Sequence, residues 1–378
     1  MIVAWIRLRN FRNHLDTSLE FGEGINVFLG NNGGGKTNVL EAISYLSLTK
    51  SFYATADGMV LQIGKDTFDV EGTVITASGV GNRVHIEYSR DKGEKAYEID
   101  GARPERLSAV IGRFPIVILS PENSSITFGG PAERRRFLDL VLSQVSSAYL
   151  ETLLEYRRVV RQRNRILLDA RFQGTDPSNI LEPWNESVAR LGGNIADRRQ
   201  RFVEEFQGYV HSAYTELLED DAEGPAIHYE SACIPNGSVP TPEEIAGYLM
   251  KRLEQDQSEE IRRGTTLVGP HRDDLLFTLG GIAVQHYASQ GQHKTLLVAL
   301  KVAEFRFLHD QREERPIFLL DDVFSELDTY RATSLVRLAA QLGQTIITTT
   351  DERVFSNSVP WNGMNKRFFV EHGTCRPI

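Results

Sequence analysis

The segment from Gly30 to Asn38 reads GNNGGGKTN and matches the spacing G-x-x-x-x-G-K-[ST] without a mismatch. Glycines at these positions let backbone N–H groups surround a phosphate, and a helix N-terminus behind them favours the same negative charge. The lysine of this spacing reaches the β- and γ-phosphates, and the threonine hydroxyl ligates Mg²⁺. We therefore expect a nucleotide site in these consecutive residues: Gly30, Asn31, Asn32, Gly33, Gly34, Gly35, Lys36, Thr37 and Asn38.

The residues on either side of this loop support the assignment. INVFL, Ile25 to Leu29, is typical of a buried strand, and KTNVLEAISYLSL carries apolar residues at helical spacing. The alternative is a glycine-rich turn before an ordinary helix, but the phosphate loop requires this strand–loop–helix context. The sequence therefore predicts binding of a nucleoside triphosphate, with ATP and Mg²⁺ as cofactors.

Two acidic residues end the segment PIFLLDD. Ile317 to Leu320 are consecutive apolar residues, typical of a buried strand, and Asp321 and Asp322 follow them. A carboxylate at such a strand end can hold the Mg²⁺ that bridges the β- and γ-phosphates, so Asp321 is assigned this role together with Thr37. Asp322 is placed to polarise an attacking water as the catalytic general base. A strand that simply ends in an acidic turn is the alternative, and the phosphate loop makes it the less favoured one.

A small polar patch precedes an amphipathic helix in YASQGQHKTLLVALKVAEF. It comprises Ser289, Gln290, Gly291 and Gln292, and it resembles a degenerate form of the signature sequence of ABC-type ATPases. In that family the signature of one subunit caps the γ-phosphate held by the other subunit, because a hydroxyl and a helix N-terminus meet an anion. As an isolated string the patch also reads as a helix cap, but it stands ahead of the acidic strand, as it does in that family.

Two further segments fit the same resemblance. SELD, Ser325 to Asp328, resembles the D-loop that follows the acidic strand in ABC ATPases. TTTD, Thr348 to Asp351, ends the next strand, where that superfamily often carries a switch histidine and this sequence has none. The resemblance therefore implies slow hydrolysis that is regulated by assembly.

These segments need a sheet and helices to bring them together. The first part of the chain is rich in strand patterns, with a meander over residues 66–101 and a core strand within Arg113 to Ser120. A helical, arginine-rich tract follows, and strand patterns return after about Gly264. We expect an α/β fold, an ABC-type P-loop ATPase head built from two sequence pieces (residues 1–130 and 265–378) with an inserted helical arm domain (residues 131–264).

Composition excludes several classes of protein. A chain of 378 residues is too long for one ordinary domain, and no apolar run approaches the roughly 18 residues of a membrane span. The first residues lack the features of a secretion signal, and Cys233 and Cys375 form no CxxC pair, so a reducing cytoplasm is expected. The net charge of −9 argues against a uniformly basic nucleic-acid-binding surface but is compatible with a local basic face.

Taken together, these motifs resemble the RecF family of bacterial recombination mediators, which is related to the SMC-type ABC ATPases. The resemblance covers the whole length through LRNFRNH (Leu8 to His14), GNNGGGKTN, SPENSSITFGGPAERRRFLD (Ser120 to Asp139), YRRVVRQRN (Tyr156 to Asn164), LVGPHRDDL (Leu267 to Leu275), YASQGQHKT and LLDDVFSELD. The RecF pattern itself lacks the switch histidine. SMC and related repair ATPases carry coiled-coil inserts of hundreds of residues, whereas fewer than about 140 residues separate Pro131 from Gly264 here, which favours RecF.

The resemblance implies a function. It implies ATP-dependent, dimerising DNA binding that helps RecA to replace single-strand binding protein at gaps, together with RecR and RecO, and a weak DNA-stimulated ATPase activity used as a switch. Two alternatives are an SMC-like ATPase partner of a nuclease, which the short arm disfavours, and the ATPase subunit of a membrane transporter. A transporter subunit would normally carry a switch histidine and a smaller helical insertion.

Arginines cluster in the predicted arm, at residues 134–136, 157–165 and 198–201. Arginine suits phosphate recognition through its fixed fork of donors, and clusters on an acidic protein are typical of a local DNA-binding face. The candidate DNA contacts are Arg134, Arg135, Arg136, Arg157, Arg158 and Arg161. Solvated helix faces with i,i+4 pairs to glutamate are the alternative. No helix-turn-helix or zinc-finger pattern is found, so sequence-independent binding is expected.

The segment GPHRDD contains residue types that can ligate metals, namely His271, Asp273 and Asp274. Their adjacency is poor ligand spacing, and no second cluster completes a coordination shell. We therefore expect a structural turn where the chain re-enters the head.

Overall fold

The computed structural model describes residues 1–218, 223–234, 240–355 and 359–378. The chain divides into two compact units. The first unit comprises Met1–Ser124, Ser212–Asp221 and Ser289–Ile378, and the second unit comprises Ser125–His211 and Ala222–Ala288. No helix within the described ranges is long and apolar enough to cross a membrane.

The strands are numbered in chain order: β1 (Ile2–Phe11), β2 (His14–Glu20), β3 (Ile25–Leu29), β4 (Thr67–Ile75), β5 (Gly81–Ser89), β6 (Glu94–Ile99), β7 (Ile116–Leu119), β8 (Pro225–Glu230), β9 (Asp274–Leu279), β10 (Ile282–Ala283), β11 (Ile317–Asp321), β12 (Thr345–Thr349), β13 (Lys366–Glu371) and β14 (Thr374–Pro377). The helices are α1 (Lys36–Leu48), α2 (Ser125–Phe128), α3 (Pro131–Val145), α4 (Ser147–Gln173), α5 (Ser178–Leu218), α6 (Pro242–Gln255), α7 (Gln257–Arg263), α8 (Val284–Tyr287), α9 (Gln290–Arg312) and α10 (Thr329–Leu342). The first unit contains both sheets and helices, which confirms the predicted mixed α/β class.

One sheet of the first unit is antiparallel throughout, with the order β2-β1-β4-β5-β6. Successive side chains of β1 alternate between its faces, so Ile6 and Leu8 are buried while Arg7 and Arg9 pair with Asp16 and Asp69. Strands β4 to β6 form the predicted meander, which is confirmed. An antiparallel sheet can bear this pattern because one face packs and the other meets water.

The other sheet of the first unit has the order β14-β13-β3-β12-β11-β7 and is parallel except at β14. Every residue of β3, β11 and β12 is buried, as expected of parallel strands with both faces covered. The register pairs Asp321 with Thr348, and Thr348 with Phe28. The carboxyl ends of three strands therefore meet at one edge, which is where open α/β sheets bind ligands.

The second unit combines helices with a small antiparallel sheet, in the order β10-β9-β8. Strand β8 has no counterpart among the sequence expectations. It pairs with β9 along its whole length, from Pro225 opposite Leu279 to Glu230 opposite Asp274. Because of this pairing, residues 265–288 belong to the second unit rather than to the head, so the division differs from the expected boundary at residues 264 and 265.

Two arginines lie wholly inside the second unit. Arg163 donates to Asn185 Oδ1 at 2.8 Å and to Thr266 Oγ1 at 2.9 Å, and it forms an ion pair with the buried Glu260. Arg199 bonds to Asp139, to the Tyr149 hydroxyl and to the Pro270 carbonyl oxygen. Buried charges are tolerated only when they are paired and hydrogen-bonded, and both arginines meet that condition.

Removal of the Arg163 side chain should strongly destabilise the protein. Arg163→Ala should lower the free energy of unfolding by about 3–5 kcal/mol, because Glu260 becomes an unpaired buried charge. The control is Arg165→Ala on the same helix, where only an exposed pair with Asp169 is lost and about 0.5 kcal/mol is expected. Urea unfolding monitored by circular dichroism measures both; equal losses would contradict the structural role of Arg163.

Candidate nucleotide site and arginine surface

The loop between β3 and α1 adopts backbone conformations that favour glycine. Gly30 and Gly35 have φ values of 152° and 112°, in the region that residues with a Cβ rarely adopt. A Cβ at Gly30 would lie 2.2 Å from the Val370 carbonyl oxygen, and one at Gly35 would lie 2.6 Å from Asn13 Oδ1. The two glycines are therefore required by close approach as well as by φ, and helix α1 begins immediately afterwards at Lys36.

The ammonium group of Lys36 lies against the loop itself. Its Nζ donates to the carbonyl oxygens of Gly30 at 2.7 Å and Asn31 at 3.1 Å. Burial lowers the pKa of Lys36, while Asp322 and Asp321 act in the opposite direction. The cation is thus held beside the carbonyl oxygens and the two carboxylates, within the loop that the sequence assigned to phosphate.

Residues Asn13 and His14, in the hairpin formed by β1 and β2, make hydrogen bonds to the phosphate loop and to the start of α1. Asn13 Nδ2 donates to the Gly34 carbonyl oxygen at 3.0 Å, and the Asn38 amide donates to Asn13 Oδ1 at 2.7 Å. His14 Nε2 lies 3.1 Å from the Gly35 carbonyl oxygen, and burial lowers the pKa of His14 and so favours its neutral form. The spacing argument did not identify these bracing contacts, because they join segments that only the fold brings together.

The two predicted metal ligands, Thr37 and Asp321, are hydrogen-bonded to each other. Asp321 Oδ1 accepts from the Thr37 hydroxyl at 2.8 Å and from the Thr348 hydroxyl at 2.6 Å. Thr348 also contacts Asp322, the residue after Asp321: the backbone N–H of Asp322 donates to the Thr348 carbonyl oxygen at 3.1 Å. Thr348 lies in the TTTD segment, where the sequence drew attention only to a missing histidine.

These donors fit a magnesium ion bound with a nucleotide. Within the described residues no group of three or more histidine, cysteine or acidic side chains could hold a metal on its own. Mg²⁺ needs no such group, since it takes one or two protein oxygens and fills its octahedron with phosphate oxygens and water. The Thr37 hydroxyl and the Asp321 carboxylate are oxygen ligands of that kind.

Asp322 has three unusual properties. Its φ of 50° lies in the left-handed region, which costs a non-glycine residue of order 1–3 kcal/mol and is concentrated at functional sites. Its Oδ1 is buried and has no hydrogen-bond partner in the part of the chain that the structure describes. Burial raises the pKa of Asp322, with Lys36 opposing that effect. An unsatisfied acceptor with increased proton affinity suits a group that takes a proton from water.

The signature segment forms the start of α9. The Ser289 hydroxyl accepts from the Gln292 backbone N–H at 3.2 Å, and the Gln292 side chain accepts from the Ser289 N–H at 2.8 Å, which is a capping box. Ser289 and Gln290 are exposed, while Gly291 and Gln292 are half-buried. The helix-cap interpretation is therefore correct as local geometry, and it leaves the serine at a surface.

The D-loop lies against this helix. Val323–Glu326 form a short 3₁₀ helix directly after the strand-end carboxylates. Lys294, in the second turn of α9, donates from Nζ to the Glu326 carbonyl oxygen at 2.8 Å. The segments that the sequence linked only by resemblance, SQGQ and SELD, are thus neighbours in the first unit.

Arg134 corrects one prediction for the arm. It was expected to contact DNA, but its side chain is only 3% exposed and donates twice to Asp274, each time at 2.7 Å. Its remaining donor bonds to the Gly129 carbonyl oxygen at 2.6 Å. Arg135 is half-buried and donates to the Asp273 carbonyl oxygen, and burial lowers its pKa. Sequence clustering could not separate these residues from surface arginines, because burial is decided by packing.

The other candidate arginines are exposed on the second unit. Arg136 lies 4.0 Å from Glu133, and Arg157 donates to Asp139 at 2.9 Å. Arg158 and Arg161 are exposed and, among the residues that the structure describes, have neither an ion-pair nor a hydrogen-bond partner. Their spacing of three puts them on one face of α4, so two unpaired cations lie together there.

The GPHRDD segment is a turn, but it lies in the second unit and not, as predicted, where the chain re-enters the head. His271 Nδ1 lies 2.7 Å from the Tyr156 hydroxyl, and burial lowers the pKa of His271 to about 4. Asp273 accepts from the Tyr229 hydroxyl, and burial raises its pKa to about 6. Asp274 holds Arg134, so the segment ties strand β9 to helices α3 and α4.

The parallel sheet, the glycine loop before α1 and the carboxylates after β11 together define an ABC-type P-loop ATPase head. A family model for the RecF/RecN/SMC N terminal domain matches residues 2–374. Two solved SMC head structures have TM-scores of 0.56 at 14% identity and support the fold alone. The family model and the loop identify the chain as an ATP-binding protein of this class.

More similar relatives narrow the class to one family. The chain is 41% identical over 353 residues to the DNA replication and repair protein RecF of Chloroherpeton thalassium, covering 93% of this chain and 95% of that one. It is 35% identical to the protein of the same description from Listeria innocua, with 98% of each covered. A structure of the recombination mediator protein RecF-ATPrS in the RecFOR pathway has a TM-score of 0.90 at 30% identity, covering 100% of this chain and 98% of that one. The chain belongs to the RecF family of DNA replication and repair proteins.

Loss of the Thr348 hydroxyl should weaken magnesium-dependent nucleotide binding. Thr348→Val leaves Asp321 without one of its two hydroxyl donors, and partners of this kind typically contribute about 10–100-fold to metal affinity. ATP titrations with Mg²⁺ and with EDTA separate this effect from binding of the nucleotide alone. Thr345→Val, on the same strand but bonded only to backbone carbonyl oxygens, is the control. Equal Mg²⁺ dependence in both variants would contradict the role of Thr348.

Proposed function

We propose that this protein is an ATP-switched, sequence-nonspecific DNA-binding protein that acts in replication and in the recombinational repair of gaps. The observation that carries the proposal is the contact of Thr37 and Thr348 with Asp321, which joins the phosphate loop to the acidic strand end. Its similarity to proteins described as RecF, and to structures of RecF-ATP in the RecFOR pathway, supplies the biological setting.

ATP is proposed to bind along the loop from Gly30 to Asn38. Lys36 would exchange its two carbonyl acceptors for β- and γ-phosphate oxygens, because an anionic acceptor makes a stronger hydrogen bond with an ammonium group. Thr37 and Asp321 would hold Mg²⁺, which supplies charge neutralisation at the phosphates. Asp322, with its unsatisfied Oδ1, would orient the attacking water and accept its proton.

The signature residues Ser289, Gln290, Gly291 and Gln292 are proposed to cap the γ-phosphate bound by a second copy of the chain. Ser289 and Gln290 are exposed at the N-terminus of a 23-residue helix, whose dipole favours an anion. Nucleotide shared between two protomers links dimerisation to ATP, since a ligand that binds only the dimer stabilises it by mass action.

DNA is proposed to contact the exposed arginines of the second unit, with Arg158 and Arg161 as the principal residues. Arg136 and Arg157 are nearby cations whose acidic partners partly neutralise them. Phosphate contacts of this kind carry no sequence information and depend steeply on salt. Two such faces in one dimer would make the second DNA contact intramolecular, so ATP would tighten DNA binding.

The proposed partners follow from the family. RecR and RecO-type mediators would act directly with the DNA-bound dimer, and RecA would be loaded as the outcome. Neither a transporter subunit nor a nuclease partner is favoured by any contact within the described ranges. We propose that the protein has a weak, DNA-stimulated ATPase activity, and that hydrolysis ends the ATP-bound, dimeric state.

ATP should drive dimerisation. Sedimentation of the protein at micromolar concentration should shift from monomer to dimer when ATP and Mg²⁺ are added, with nucleotide-free protein as the control. Ser289→Arg should abolish the shift, because a bulky cation side chain would displace the capping hydroxyl from the shared nucleotide. A wild-type protein that stays monomeric with ATP would refute the shared site.

Hydrolysis should depend on Asp322. Asp322→Asn should leave ATP binding and dimerisation intact while lowering turnover by about 10²–10⁴-fold, since only the general base is lost. Lys36→Ala should weaken nucleotide binding itself. Single-turnover hydrolysis and ATP titration measure the two effects. Unchanged turnover in Asp322→Asn would move the base to another residue, with Glu326 the next candidate.

DNA binding should depend on the two unpaired arginines. Arg158→Gln with Arg161→Gln should reduce the slope of log affinity against log salt by about 1.8 on duplex DNA, or about 0.9 for each lost phosphate contact. Arg262→Gln with Arg263→Gln is the matched control, because both control arginines pair with Glu259 in the same unit. Affinities are compared with and without ATP. An unchanged slope, or affinity insensitive to both ATP and salt, would exclude an ATP-gated phosphate clamp on α4.

A further inference from the structure

An arginine from another helix lies beside the signature serine. A Cβ built on Gly291 would be 3.7 Å from Arg331 Nη2, 3.9 Å from Arg331 Nη1 and 3.9 Å from Ser289 Oγ. The guanidinium group and the serine hydroxyl therefore flank the same small space above Gly291. Arg331 lies in the first turn of α10, just after the D-loop, and its side chain is 29% exposed.

Two side-chain contacts hold Arg331 in this position. Its Nε donates to Thr295 Oγ1 at 2.8 Å, and Thr295 in turn donates to the Gly291 carbonyl oxygen at 2.9 Å. Its Nη1 pairs with Asp328 of the D-loop. Nη2 has no acceptor among the residues that the structure describes, so one edge of the guanidinium fork is open next to Ser289. A planar fork anchored on one edge loses little conformational entropy when it binds on the other.

A phosphate that bound at this surface would need a cation to balance its negative charge. Ser289 is neutral, and the α9 N-terminus offers only a partial charge of about half a unit. Lys294, one turn further on, is engaged with the Glu326 carbonyl oxygen. A γ-phosphate that reached Ser289 would thus also meet the guanidinium group of Arg331, and arginine binds phosphate through strong charge-assisted hydrogen bonds.

We propose that Arg331 is a further ligand of the shared nucleotide, donating from Nη2 to the γ-phosphate held by the phosphate loop of a second copy. This inference rests on the proposed sharing of ATP between two protomers. It also assigns a role to the small size of Gly291, because a side chain there would fill the space between the hydroxyl and the guanidinium group. Because Arg331 pairs with Asp328 and bonds to Thr295, it connects the D-loop to the signature helix on the side that would face that phosphate.

The first test separates this role from binding by the protomer's own loop. Arg331→Gln should weaken ATP-dependent dimerisation by about 10- to 100-fold for each of the two shared sites, the range for a lost charge-assisted hydrogen bond, while the affinity of the monomer for ATP stays unchanged. Arg331→Lys keeps the charge but not the fork, so it should fall between wild type and Gln. Arg103→Gln removes an exposed arginine paired with Glu98 in the same unit and should change neither value.

The second test mixes variants. In a mixture of Arg331→Gln and Lys36→Ala protomers, one composite site combines both defects and the other is intact, so ATP turnover should recover well above that of either variant alone. Ser289→Arg mixed with Lys36→Ala is the benchmark for the shared site. Recovery in the benchmark but not with Arg331→Gln would place Arg331 in its own protomer's chemistry and overturn the inference. No recovery in the benchmark would overturn the shared site itself.

Both tests require that the Arg331 variants fold as the wild type does. Thermal melts of Arg331→Gln and Arg331→Lys compare them with wild type. If Gln unfolds, Arg331→Lys carries both tests, since it retains the pair with Asp328. Dimerisation of Arg331→Lys and Arg331→Gln equal to wild type would also overturn the inference, because the phosphate would then not use the guanidinium.

Discussion

One carboxylate oxygen, Asp321 Oδ1, joins the two sequence pieces of the head. It accepts from Thr37 at the start of α1 and from Thr348 at the end of β12, residues 284 and 27 positions away in sequence. Both bonds exist because β3, β12 and β11 are parallel neighbours whose carboxyl ends meet at one edge. The phosphate loop, the proposed metal ligands and the proposed base depend on that register, since a slip of one residue would reverse every side chain.

Contacts within the protein fix the conformation of the loop from Gly30 to Asn38. Its backbone is held by the glycine conformations, by the side-chain amides of Asn13 and Asn38, and by the neutral His14. Because the loop is already ordered when the chain folds, the entropy cost of ordering it does not reduce the affinity for a ligand, which is the general benefit of preorganisation. The same argument applies to Arg331, whose fork is anchored on one side beside Ser289.

Arginine serves two purposes in the second unit, and packing separates them. Arg134, Arg163 and Arg199 are buried and paired with carboxylates: Arg134 joins α3 to Asp274 of β9, while Arg163 and Arg199 join helices to one another. Arg158 and Arg161 lie exposed on α4 and have no ion-pair partner among the residues that the structure describes. Because a buried guanidinium must be fully paired, an arginine that is exposed and unpaired is the better candidate for DNA phosphate.

The sequence by itself determined the loop, the strand before it, the acidic strand end, the meander and the family. These features are local, since short spacing and hydrophobic period depend on neighbours along the chain. Only the tertiary structure decided which arginines are buried, that β8 pairs with β9 and moves residues 265–288 to the second unit, that Thr348 bonds to Asp321, and that Arg331 lies beside Ser289. Those outcomes depend on contacts between distant segments, which no local pattern records.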